Sequence, residues 1–167
     1  MLDMTACEQV LAIEAIKRLK ARYFRCVDTK DWAGFLALFA PDAVIDTSEA
    51  FTPKDHTGAL LEFDGVVPPP PNPAGRCDDI AKFVADLSKV LDGVSTVHHG
   101  HTPEIELTSP TTATGIWAME DMLRWPRGAA IRDMHGYGHY RETYELLPQG
   151  WRIKTLKLTR LRVDSTP

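Results

Sequence analysis

Residues 16–46 read IKRLKARYFRCVDTKDWAGFLALFAPDAVID, and their spacing sets the start of the fold. Ile13, Ile16, Leu19, Tyr23 and Val27 recur at the i, i+3, i+4 rhythm of one buried helical face, predicting a helix that runs to about Asp28. Upstream, Thr5-Ala6-Cys7-Glu8 has the form of a capping box, so that helix should begin there. Downstream, Asp31 is placed to cap a second helix with the face Trp32, Phe35, Leu36 and Phe39, which Pro41 should stop. Ala43 to Thr47 is short and rich in β-branched residues, the pattern of a strand.

From 48 to 75 periodicity fades, and the run Pro68-Pro69-Pro70-Pro71-Asn72-Pro73 cannot donate to a sheet ladder. A loop of that length inside a compact domain is usually a lid or an irregular insertion, and both readings stand. A third helix should open at Asp78 or Asp79, bury Ile80, Phe83, Val84, Leu87 and Leu91, and end at Gly93. The remainder reads as four long strands, roughly 94–108, 112–125, 131–147 and 150–163, divided by Ser109-Pro110, Pro126-Arg127-Gly128 and Pro148-Gln149-Gly150. Short connections make such strands antiparallel neighbours, so the expected class is α+β, with helices on one face of a curved sheet.

A chain of 167 residues suits a single domain, 1–167, with surface to spare for a core and a pocket. Its 19 basic and 23 acidic side chains give a formal charge of −4, which argues against nucleic acid as a partner. No stretch approaches the 18 or more apolar residues of a membrane span, and Asp3, Glu8 and Glu14 are unlike a secretory leader. Cys7, Cys26 and Cys77 lack the close pairing of zinc or redox motifs, which fits reduced thiols in a cytoplasmic protein.

Three histidines, His98, His99 and His101, lie in the segment TVHHGHTPEIE (96–106). Strand alternation puts His98 on one side with Thr96, and His99 and His101 on the other, so the three do not converge. A histidine in a half-buried pocket can serve as general base or acid, although clusters like this also arise as plain surface residues. Asp28 ends an apolar helical face where the macrodipole disfavours an anion, so it needs a partner. If His98 is that partner, the two form a base with an orienting carboxylate; otherwise Asp28 caps the Thr29-Lys30-Asp31 turn. Tyr23 reads either as a core aromatic or as a hydroxyl reaching the same cavity. Asp121 shares a side of its strand with Gly115, Trp117 and Met119, and is either a pocket acid or a solvated strand-end residue. Arg160 and Arg162 share a face of the last strand with Leu156 and Leu158, and either suits an anionic group.

Taken together, these residues resemble the SnoaL-like branch of the NTF2-like superfamily. The resemblance rests on residues 16–46, on Ile80 to Glu106 ending TVHHGHTPEIE, on GYGHYRETYE (136–145) and on GWRIKTLKLTRLRVD (150–164). It implies a cone-shaped α+β barrel in which three N-terminal helices and a curved antiparallel sheet enclose an apolar cavity. Its pocket Asp falls on Asp28 and its catalytic His on His98. In dehydratase-like members a Tyr falls on Tyr23 and a second carboxylate on Asp121. The late-strand Arg falls on Arg160 or Arg162, of which Arg160 is chosen. The insertion at 48–75 departs from compact members.

The function expected first is a cofactor-independent lyase of dehydratase type, acting on a hydrophobic cyclic substrate, steroid- or polyketide-like. An isomerase or polyketide cyclase would use the same residues, and the fold alone does not choose between them. A metal enzyme of cupin type is an alternative, because Gly93, His99-x-His101 and Glu106 resemble the first cupin motif. A non-catalytic binding module is another. A homodimer or higher homo-oligomer is expected through the outer sheet face.

Overall fold

The computed structural model describes residues 4–62 and 67–166; part of the expected proline-rich loop, 63–66, and Asp3 lie outside the described residues. Helix α1 spans Ala6–Asp28, and its capping box forms: the Glu8 N–H donates to Thr5 Oγ1 while the Thr5 N–H donates to the Glu8 carboxylate. Ile16 and Leu19 are wholly buried, each worth about 1.5–3 kcal/mol of apolar burial. Asp31 caps α2 (Trp32–Leu36) by accepting the Gly34 N–H. This helix is shorter than expected, because Phe39 and Pro41 belong to strand β1 (Phe39–Asp46). Phe39 still joins the same core, its ring 5.2 Å from that of Phe35.

After β1 the chain makes turns, a short 3-10 helix (Pro73–Gly75) and the two-residue strand β2 (Arg76–Cys77), which pairs with the end of β1. Two hydrogen bonds tie the proline run to the segment after β1: Thr52, buried, donates its hydroxyl to Pro69 O, and the Asn72 N–H donates to Ser48 O. Helix α3 (Ile80–Val90) is capped by Asp79, and Gly93 follows with φ +69°.

The first of the four expected strands is two, β3 (Ser95–Gly100) and β4 (Glu104–Ser109), broken around Pro103. Both pair antiparallel with the same edge of β5 (Thr112–Arg124). Strands β6 (Asp133–Leu147) and β7 (Gly150–Thr166) complete the order β2-β1-β7-β6-β5-β3. The sheet is not closed, and it is mixed rather than wholly antiparallel, since β1 runs parallel to β7. It remains a curved α+β cone, with α1 packed against β3 and β7.

Register decides what faces inward. Going across the sheet, His98 lies opposite Asp121 and Asp121 opposite Gly136. Between β6 and β7 the register shifts, with Tyr137 opposite Arg162 but Gly138 opposite Arg160, leaving Leu161 as an extra residue. The expectation that Arg160 and Arg162 share a face fails at this bulge. Arg160 is buried inside, whereas Arg162 lies outside against Asp164, its side chain 57% exposed. A Cβ on Gly138 would lie 2.0 Å from Thr159 O, so the bulge requires glycine there. Among the described residues, no helix is long and apolar enough to cross a membrane.

Candidate active site

The last turn of α1 delivers Asp28 to the inner face of β3. There its carboxylate accepts three bonds: from the His98 ring Nδ1 (2.7 Å), the His98 backbone N–H (2.9 Å) and the Thr96 hydroxyl (2.9 Å). The turn below does not need it, because the Thr29 hydroxyl donates to Arg25 O and Asp31 caps α2. Burial pushes the Asp28 carboxyl up, but the bonds from His98 and Thr96 together hold it below its ordinary value. An ionised Asp28 only accepts, so the Nδ1 proton stays on His98, and in the neutral ring Nε2 carries the lone pair. Lys30, at φ 59°, reaches back to donate to Thr96 Oγ1 at 2.7 Å.

The free nitrogen of His98 faces Asp121: Nε2 lies 3.9 Å from Oδ2. Arg160 grips that carboxylate with two parallel bonds of 3.0 and 2.7 Å and donates its Nε–H to Ala50 O. Asp121 is thus a buried, paired acid rather than a solvated strand-end residue; its side chain is 4% exposed and that of Arg160 2%. The room for this pair comes from Gly136, where an added Cβ would fall 2.4 Å from both Arg160 Nη1 and Asp121 Oδ1. On the other side Phe24 stacks on the His98 ring, 16° from parallel. Gly100 permits that approach, since a Cβ there would meet the Phe24 ring at 2.5 Å.

Tyr23 is buried among Phe24, Phe35, Phe39 and Tyr140. Its hydroxyl meets that of Tyr140, within the electrostatic reach of Asp121 and Arg160. Burial, reinforced by the charge of Glu142, raises the Tyr23 phenol above its usual range, so it is a donor at neutral pH.

His99 points to the outer face, where its ring meets Glu120 at 3.4 Å, and His101 is exposed. Among the described residues, no group of three His, Cys, Asp or Glu side chains is placed to hold a metal ion, so the cupin-like spacing does not become a ligand set.

Sequence reasoning missed Thr96, Phe24 and Gly136 as parts of the site, and it missed a charged pair beneath it, Lys20 with Glu142. A signal was there for the pair. Lys20 stands four residues after Ile16 on the apolar face of α1, and Glu142 has the parity of Tyr140 and Tyr144 on β6.

The α+β cone is that of a small-molecule-processing enzyme or binding module, and Asp28 and His98 are hydrogen-bonded on its inner face. More narrowly, the chain belongs to the SnoaL-like domain family, whose model matches residues 8–157. Solved structures agree on the fold. A provisionally named scytalone dehydratase from Novosphingobium aromaticivorans DSM 12444 superposes with a TM-score of 0.76 at 16% identity, over 98% of this chain and 93% of that one. The Kfla4162 protein from Kribbella flavida gives 0.70 at 18% identity, over 93% and 95% of the two chains. Hexachlorocyclohexane dehydrochlorinase LinA-type3 from Novosphingobium barchaimii LL02 gives 0.67 at 15% identity, over 97% and 94%.

Proposed function

We propose that the protein is a cofactor-independent lyase that dehydrates a hydrophobic, hydroxylated cyclic substrate of steroid- or polyketide-like character. The observation that carries this reading is the His98 ring, tied through Nδ1 to Asp28 while Nε2 stays free beside Asp121. In the proposed step Nε2 takes a proton from carbon, the C–H electrons become the double bond, and the C–O bond breaks. The imidazolium then returns that proton to the departing hydroxide, which leaves as water. Asp28 stabilises the imidazolium meanwhile, and the Tyr23 hydroxyl hydrogen-bonds the oxygen that gains charge. No redox partner is required, because the balance closes with one proton and one water.

The test is incubation with a panel of cyclic β-hydroxy ketones, read by mass spectrometry for loss of water. Tyr23→Phe should lower that turnover by about 100-fold, the scale for losing one donor to a developing oxyanion. A product of unchanged mass would replace dehydration by isomerisation or cyclisation, and tight binding without any product would leave a binding module.

The proposed assembly is a homo-oligomer. Val97 and Met122, opposite each other on the outer sheet face, are 41% and 37% exposed, which supports a covered face. Sedimentation at micromolar concentration should show more than the 18.6 kDa monomer; a monomer alone would overturn this.

A further inference from the structure

The buried pair beneath the site has no part in the chemistry described above. Lys20 and Glu142 contact each other with both side chains wholly buried. The second Glu142 oxygen accepts the Tyr144 hydroxyl, which in turn accepts the Trp117 Nε1–H at 2.8 Å. Space for this chain exists because residue 115 is glycine; a Cβ there would meet the Tyr144 ring at 2.9 Å. The Lys20 ammonium lies 3.9 Å from the centre of the Tyr23 ring and 3.5 Å from that of Tyr140. A well-packed apolar pair of similar volume would hold the core together as well or better, so stability does not account for burying two charges.

We propose that Lys20, held by Glu142, is a positioning residue for Tyr23: its ammonium against the Tyr23 and Tyr140 rings polarises both phenols and makes Tyr23 a stronger hydrogen-bond donor. This deepens the reading of Tyr23 given above and rests on it. A cation on a ring face draws electron density from the ring, and through it from the phenolic O–H. Glu142 keeps the ammonium on that face and keeps it charged; its own charge acts on the Tyr23 phenol in the opposite sense, whereas the ammonium sits against the ring itself.

The arrangement carries a pH dependence. Burial pushes Lys20 down to about 8, against the opposing charge and hydrogen bond of Glu142. The titratable groups facing it are Glu142 and Tyr140 on β6 and Tyr23 on α1. Tyr144 lies behind Glu142, and Asp121 and Arg160 lie beyond the tyrosine hydroxyls. Burial raises all three phenols, so they keep their protons while Lys20 loses its own. As the pH rises through about 8, Tyr23 weakens as a donor without ionising.

The chain has four tyrosines, so labelling each at Cζ with carbon-13 gives a spectrum that resolves them. Between pH 6 and 10 the Tyr23 and Tyr140 signals should shift through one midpoint, the same that carbon-13 at lysine Cε reports for Lys20. Tyr137, on the outer face, should not follow it. In Lys20→Met/Glu142→Gln, which leaves no buried charge unpaired, the step should vanish. kcat should then fall by about tenfold with KM changed less than twofold, and the alkaline limb of kcat should disappear. The proposal is overturned if Tyr23 shows no step at the Lys20 midpoint, if the step survives in the paired variant, or if kcat is unchanged without it. The wild-type titration needs neither a substrate nor the variant. A titration step in a protein with no turnover on any ring substrate would overturn the dehydratase reading and this donor's catalytic use, but not the coupling.

Discussion

Replacing His98 by alanine is expected to lower turnover by about 100-fold or more while the protein stays folded, because a positioned general base contributes on that scale. The side chain is 10% exposed and bonds Asp28, so its loss frees one carboxylate at the edge of the core rather than opening the core itself. Asp28→Asn should lower the rate as well, since an amide cannot stabilise an imidazolium. The two residues act on one proton, so the double variant should cost far less than the product of the single losses. His99→Ala should keep near-native turnover, its ring lying on the outer face against Glu120. Near-native turnover in His98→Ala, with loss in His99→Ala, would refute the assignment. Acid denaturation offers a readout without substrate. The folded Asp28 carboxyl sits below its unfolded value of about 3.9, so its contribution to stability is complete above that pH. It is lost as the pH falls through the folded value, and His98→Ala should remove much of it.

Asp28 and His98 were legible because two local periodicities kept their phase. The 3.6-residue rhythm of α1 keeps one buried face from Ile16 to Val27 across the charged Lys20, which fixes where Asp28 emerges. Alternation along β3 survives because Thr96 to Gly100 pair with β5 residue for residue. Where a period breaks, the sequence carries no local trace of it. The choice between Arg160 and Arg162 turns on the bulge at Leu161, a property of the β6–β7 pairing that no alternation within β7 contains. The division of β3 from β4 follows from Pro103 and from both strands using one edge of β5, which a reading of a single long strand merges. Phe39 has helical spacing from Phe35 yet lies in β1, where its ring still packs against that of Phe35. The sequence leaves Asp121 between a pocket acid and a surface acid, since its partner is 39 residues away, beyond any local pattern. The Lys20–Glu142 pair fails for the same reason at a separation of 122 residues, although each half broke an apolar pattern of its own element.

Arg160→Met should cost about 3–5 kcal/mol of stability, because it strands the buried Asp121 carboxylate without its counter-charge. For a chain of this size that corresponds to a fall in Tm of roughly 6–20 °C. Asp121→Asn, which leaves a guanidinium still bonded to Ala50 O, should cost less. The double variant Arg160→Met/Asp121→Asn should recover a large part of the stability lost in Arg160→Met, since no buried charge is then left alone. Thermal melts of the three proteins measure this, and a double variant no more stable than Arg160→Met would show that the pair's mutual compensation is not what holds it. Turnover separates the second role of the same residues. Asp121 stands 3.9 Å from the free nitrogen of His98, so a double variant that regains its fold but not its rate assigns the carboxylate to the proton-transfer geometry. Gly136→Ala approaches the pair by another route, driving a methyl group to within 2.4 Å of both partners. It should loosen the ion pair and lower turnover with both charges still present. A rate loss there, without any change in charge, would show that the position of Asp121 is what the reaction uses.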